Sequence, residues 1–166
     1  MIFQEPMTSL NPVMKIGTQV GESLKLHTDL DKETIRKRVV ETLASVGLRN
    51  PETLIDQYPH EISGGMRQRV MIAMALCCNP KLLIADEPTT ALDVTVQKQI
   101  LEEIYQLSRK ENLGVLFITH DLGVVAEIAD DVSIMKDGEI VENGTVGEIF
   151  YHPQHSYTKK LLDAVL

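Results

Sequence analysis

The sequence has no run of apolar residues long enough to cross a bilayer, and its start, Met1-Ile2-Phe3-Gln4-Glu5-Pro6, lacks the basic and apolar regions of a signal peptide. A soluble, cytosolic chain is expected. Cationic residues are scarce: Lys and Arg number 16 against 24 Asp and Glu, a net charge of −8. That balance offers no footprint for a nucleic-acid backbone or an anionic membrane, so no nucleic-acid partner is expected. Cysteine is limited to Cys77 and Cys78, adjacent within an apolar segment. Adjacency suits neither a metal knuckle nor a disulfide between distant elements, and both read as small core residues. No Gly-Lys dipeptide occurs, which excludes a Gly-x-x-x-x-Gly-Lys-[Ser/Thr] phosphate-binding loop within these residues. Internal repeats, low-complexity tracts and convincing linkers are also missing. What is present, 166 residues that are 43% hydrophobic, suffices to bury the core of one domain or part of one.

Ile35, Val39, Leu43 and Val46 recur at helical spacing after a capping Asp31 and before Gly47, which predicts an amphipathic helix. Asn50-Pro51 opens a short, mostly polar helix that Tyr58-Pro59 closes. Ser63 stands at an N-cap position, and Met66 to Cys78 runs apolar and helix-compatible until Asn79-Pro80, so this helix should be well buried. Leu82 to Ala85 and Val115 to Thr119 read as strands buried on both faces, with a long helix between them from after Asp93 to Asn112. Asp121 caps a following helix. Val132 to Lys136 and Glu139 to Glu142 flank Asp137-Gly138, a type I′ hairpin signal. Thr145 and Glu148 match a capping box, and Ser156 to Leu166 reads as a final amphipathic helix.

Polar residues gather where the strands end. Asp86 and Glu87 follow the first strand and His120 follows the second, at the carboxyl ends where α/β sheets bind ligands. Two acids after an apolar run can hold a divalent cation and accept a proton, or simply cap a strand. Ser63-Gly64-Gly65 at a helix start can be a capped turn or a place where backbone N–H groups approach a phosphate. His27, His60, His152 and His155 read as structural, since Pro153 separates the last pair and no further ligand is evident.

The continuation settles these alternatives by resemblance. Ile62-Ser63-Gly64-Gly65-Met66-Arg67-Gln68-Arg69 resembles the signature motif of ABC-transporter ATPases, and Leu82 to Glu87 resembles their Walker B strand with the catalytic glutamate after it. Glu87-Pro88-Thr89-Thr90-Ala91-Leu92-Asp93 is similar to the segment leading into the family's D-loop, which lies across a dimer interface. Ile118-Thr119-His120-Asp121 looks like the switch histidine, and Phe3-Gln4-Glu5-Pro6 like the Q-loop. The resemblance implies an ATP-hydrolysing domain with Mg²⁺ as cofactor. Glu87, His120 and Gln4 would be catalytic, Asp86 and Gln4 would serve the metal, and Ser63, Gly64, Gly65, Met66, Gln68 and Asp93 would contact nucleotide.

The implied fold is an α/β P-loop NTPase domain with a mostly parallel sheet, flanking helices and a helical subdomain. Residues 1–12 would form the Q-loop region, 13–80 the helical subdomain, 81–150 the core and hairpin, and 151–166 the start of a C-terminal extension. Met7 to Pro12 and His152 to Thr158 look like importers of dipeptides, oligopeptides or nickel. The partners implied are a second ABC ATPase subunit, permease subunits touching the Q-loop region and, indirectly, a solute-binding protein, at the cytoplasmic face of a bacterial or archaeal membrane. Because the family's phosphate-binding loop and first strands lie upstream of the Q-loop, the chain reads as N-terminally truncated, inactive alone and poorly soluble. A soluble, non-transport ABC ATPase and a non-catalytic remnant or interaction module are the alternatives.

Overall fold

Residues 1–2, 9–88 and 94–164 are described by a computed structural model, in which the chain divides into two compact units, Met1–Ile118 and Thr119–Leu166. One helix of the first unit, α1 (Ile16–His27), is not announced by the spacing. Its buried stripe, Ile16, Val20 and Leu24, has helical period, but Gly17 and Gly21 weaken its intrinsic propensity and Lys15 supplies no side-chain cap. Packing explains the glycines. A Cβ on Gly17 would lie 2.7 Å from Ile55 Cβ, and one on Gly21 would press on Ile35 and Val39 at 3.1 and 3.3 Å.

Helix α2 (Lys32–Ser45) starts where expected, with the Asp31 carboxylate accepting from the Thr34 N–H at 2.8 Å. That bond holds the Asp31 carboxyl below its ordinary pKa. Gly47 follows with φ +73°, the left-handed conformation in which glycine ends a helix at least cost. A single turn, α3 (Pro51–Leu54), and a 3-10 turn (Pro59–Glu61) lead to α4 (Gly64–Leu76). The short segment is less polar in effect than its composition suggests, because Leu54 and Ile55 are buried. Helices α1, α2 and α4 pack against one another around Leu43, Val70 and Ile72, each at most 1% exposed. Each such side chain contributes about 1.5–3 kcal/mol of burial. Cys77, the C-cap of α4, joins this core, and burial raises its thiol pKa; Cys78, in the turn beyond, is exposed, contrary to expectation.

Strand β1 (Leu82–Asp86), helix α5 (Val94–Glu111) and strand β2 (Gly114–Ile118) follow, and β1 pairs with β2 in parallel. Leu83 and Ala85 are buried in the helical core, and Val115 and Phe117 pack against it from the neighbouring strand. The other face differs from the expectation of burial on both sides: Leu82, Leu116 and Ile118 are 55%, 51% and 44% exposed. The pairing register places Ile84 beside Leu116 and Asp86 beside Ile118 on that open face.

In the second unit the Asp121 carboxylate caps α6 (Leu122–Ile128) by accepting from Gly123 and Val124 N–H. Strands β3 (Asp131–Lys136) and β4 (Glu139–Thr145) form the expected antiparallel hairpin, and both turn residues, Asp137 (+51°) and Gly138 (+85°), have positive φ as a type I′ turn requires. The register shifts between Ile134 and Met135. Helix α7 (Val146–Tyr151) carries the expected capping box, and α8 (Ser156–Asp163) closes the described chain. Val132, Ile134 and Ile149 form this unit's own small buried cluster. The architecture is α/β, with helices flanking a parallel strand pair.

Candidate active site

Asp86 is the last residue of β1, and both edges of that strand are occupied near it. The Asp86 N–H donates to the Ile2 carbonyl at 3.0 Å and the Ile2 N–H to the Ile84 carbonyl at 2.8 Å, so Ile2 bridges in parallel opposite β2. The carboxylate therefore leaves a fixed backbone, half-buried, from the open face of the sheet.

At Glu87 the chain turns sharply, with φ +43°. A non-glycine residue pays about 1–3 kcal/mol for that conformation, and it persists only where its surroundings over-determine it. Two hydrogen bonds do so here. The Glu87 N–H donates to the Ile118 carbonyl at 2.9 Å, extending the β1–β2 ladder by one bond. On the other side the Pro88 carbonyl accepts from Nε2 of Gln68. Glu87 is itself half-buried, aimed from a backbone with little freedom.

Gln68 belongs to α4, whose first turn carries the glycine pair. Ser63 caps it, with Oγ accepting from the Met66 N–H at 3.3 Å. A Cβ on Gly64 would meet nothing within 4 Å, so the space before the helix start is open to a ligand; on Gly65 it would lie 3.3 Å from Val96 Cγ1. Unpaired N–H groups at the start of a 13-residue helix favour an anion. Met66 turns inward and packs against the core. Gln68 is fully buried, and its amide Nε2 donates to the Pro88 carbonyl.

His120 is exposed and belongs to the second unit. The Asp121 N–H donates to Thr119 Oγ1 at 3.0 Å, bracing the backbone on either side of His120, and the Asp121 carboxylate fixes the helix that follows. Gln4 and Asp93 lie outside the described residues. Among the described residues no three His, Cys, Asp or Glu side chains gather as a metal cage. One feature had no sequence signal: Arg69 Nη1 donates to the Val46 carbonyl at 2.7 Å and pairs with Glu103 of α5, 34 residues away. Gly47 makes room for it, since a Cβ there would lie 2.6 Å from Arg69 Nη1.

The sequence profile of the family described as ABC transporter matches residues 1–90, more than half of the chain. The chain belongs to the ABC transporter family. It is 62% identical over 162 residues to the oligopeptide transport ATP-binding protein OppD of Bacillus subtilis, covering 98% of this chain and 45% of that protein. Against AppD, another oligopeptide transport ATP-binding protein of the same organism, identity is 58%, covering 99% and 50%. The glutathione import ATP-binding protein GsiA of Escherichia coli is also 58% identical, over 99% of this chain and 26% of its own length. The chain thus spans half or less of the curated relatives it matches. Among solved structures, cbiO1 from Clostridium perfringens, part of the ABC transporter complex cbiONQ, superposes with TM-score 0.78 at 30% identity, covering 91% of this chain and 58% of that one. The ATP-binding cassette MJ0796 bound to ADP and Pi gives 0.73 at 30% identity, covering 87% and 61%. ABC transporter membership implies nucleotide binding, which the open helix start at Gly64 and the carboxylates at the end of β1 suit.

Proposed function

We propose that this chain is part of the ATP-hydrolysing subunit of an ABC importer that energises peptide uptake. The observation that carries the reading is the β1 terminus, where Asp86 leaves a doubly flanked strand and Glu87 is held in a left-handed turn, while α4 offers an open, capped N-terminus. The hard oxygen donors of Asp86 suit Mg²⁺, with phosphate oxygens and water completing the shell as this ion prefers, and Gln4 serving the same metal. That ion would neutralise charge developing on the phosphates. Glu87 orients the attacking water and accepts its proton as the new O–P bond forms and the β–γ bridging bond breaks, releasing ADP and phosphate. His120 donates to the γ-phosphate. Ser63, Gly64 and Gly65 present Oγ and backbone N–H groups to the γ-phosphate of a nucleotide held on the phosphate-binding loop of a second ABC ATPase subunit, with Met66 backing them and Asp93 at that interface.

Relatives whose names specify oligopeptide and glutathione transport support a peptide cargo. Permease subunits would dock on the Gln4 to Pro12 region at the cytoplasmic face of the membrane, with a solute-binding protein delivering cargo from the other side. The test is the full-length subunit reconstituted with its permease in liposomes. Glu87→Gln is expected to lower ATP hydrolysis and oligopeptide uptake together by about 10²–10⁴-fold while ATP still binds. Hydrolysis that survives Glu87→Gln, or a wild-type complex that takes up no oligopeptide, would overturn the proposal.

A further inference from the structure

We infer that Gln68 is a positioning residue that sets the aim of Glu87 by anchoring Pro88 to the glycine-led helix. The inference rests on the proposed role of Glu87. Three observations converge on it. Glu87 occupies a left-handed backbone conformation that its side chain disfavours, so something outside the residue must hold it there. The N-terminal side is held by the β2 carbonyl of Ile118, and the C-terminal side by the Gln68 amide on the Pro88 carbonyl. Gln68 is also fully buried, with Oε1 lacking a hydrogen-bond partner among the described residues. A buried amide with one end unsatisfied is a poor core filler, and an apolar side chain of the same volume would pack there at less cost. What only the amide supplies is the bond to Pro88.

The same bond joins two functional segments of one subunit. The helix whose N-terminus faces a partner's nucleotide, and the turn that aims this subunit's own carboxylate, share one side chain. A shift of α4 along its axis would draw the Pro88 carbonyl with it and so move Glu87. Gln68 thereby couples engagement at one nucleotide to the geometry at the other.

The test uses the full-length subunit in its assembled complex. Gln68→Met keeps length and flexibility, removes the donor and also removes the unpartnered Oε1, so the helix should still form. Ile72→Val, on the same helix and 1% exposed, is the control for a general loss of stability. Gln68→Met is expected to lower kcat for ATP by on the order of tenfold to a hundredfold, with KM for ATP within about twofold of wild type. Ile72→Val should leave kcat unchanged. Hydrogen exchange supplies a readout independent of turnover: the Glu87 amide should exchange at least about tenfold faster in Gln68→Met, while the Leu83 and Ala85 amides keep their protection. Gln68→Asn, whose amide is one methylene short of Pro88, should change both readouts in the same direction. An unchanged Glu87 amide in Gln68→Met and Gln68→Asn overturns the inference whatever the activity, as does a kcat that Ile72→Val lowers equally. A wild-type complex without ATP hydrolysis would instead overturn the proposed function, and the exchange of the Glu87 amide would still decide the role of Gln68.

Discussion

The two compact units are held together by different means. In Met1–Ile118, helices α1 to α5 and a strand pair meet in one continuous apolar cluster, and side chains such as Leu43, Ile72 and Ile100 are sealed from solvent. In Thr119–Leu166 the buried cluster among the described residues is Val132, Ile134 and Ile149, while local hydrogen bonds do much of the ordering. Asp121 caps α6, Thr145 and Glu148 cap α7 reciprocally, and the Glu142 carboxylate grips the N–H groups of Gln154 at 2.6 Å and His155 at 3.1 Å. Packing gives the first unit a rigid frame from which Asp86 and Glu87 project. The second unit, which carries His120, depends on polar groups whose bonds are individually worth about 1 kcal/mol.

Leu43→Ala probes the packed unit most severely. Its side chain is 0% exposed in the contact region of α1, α2 and α4, so truncation leaves a cavity and should cost about 2–5 kcal/mol. Urea denaturation followed by circular dichroism measures this, and a cost below about 1 kcal/mol would mean that the helices of this unit can close the gap, removing the contrast between the units. Thr145→Ala is the corresponding test of the hydrogen-bonded unit. It deletes the hydroxyl that accepts from the Glu148 N–H at 3.3 Å and should cost about 1 kcal/mol. Faster amide exchange confined to α7 is the expected signature, and protection unchanged within α7 would show that burial of Ile149, not the cap, holds the helix.

These same differences decided what could be read from the residues alone. Caps and turns are local, so Asp31, Ser63, Asp121, the Thr145–Glu148 box and the Asp137-Gly138 hairpin were all legible from a few neighbouring letters. Helix α1 was not, because Gly17 and Gly21 are there for close packing against Ile55, Ile35 and Val39, which are distant in sequence. For chemistry, the order of motifs singled out Ser63, Asp86, Glu87 and His120 as candidates. It gave no sign that Gln68 is buried on Pro88, or that Arg69 spans to Val46 and Glu103, because those pairings join residues 20, 23 and 34 positions apart. The open face of β1 and β2 was misread for a related reason: an apolar strand sequence reports what a side chain tolerates, not which neighbours stand over it.

The smallest expected effect is an acid titration of the second unit's caps. The Glu148 carboxylate accepts from the Thr145 N–H at 2.8 Å and from Thr145 Oγ1 at 2.9 Å, which holds its pKa below the ordinary value of 4.5. The nearby Thr158 hydroxyl, and the Gln154 and His155 N–H groups that donate to the carboxylate, also hold Glu142 below its ordinary value. A carboxylate whose folded pKa is depressed binds its proton more weakly folded than unfolded, so its contribution is complete above about 4.5 and disappears as pH falls through the lower folded value. Glu148 is exposed and Glu142 half-buried, and solvent screening keeps each effect modest. Amide shifts of Thr145, Gln154 and His155 should therefore move together as pH falls below 4.5. In Glu148→Gln the Thr145 amide should lose that transition, whereas Gln154 and His155, which answer to Glu142, should keep theirs. A Thr145 amide that still titrates in Glu148→Gln would show that the acid sensitivity of the cap comes from another group and that the box is held by packing after all.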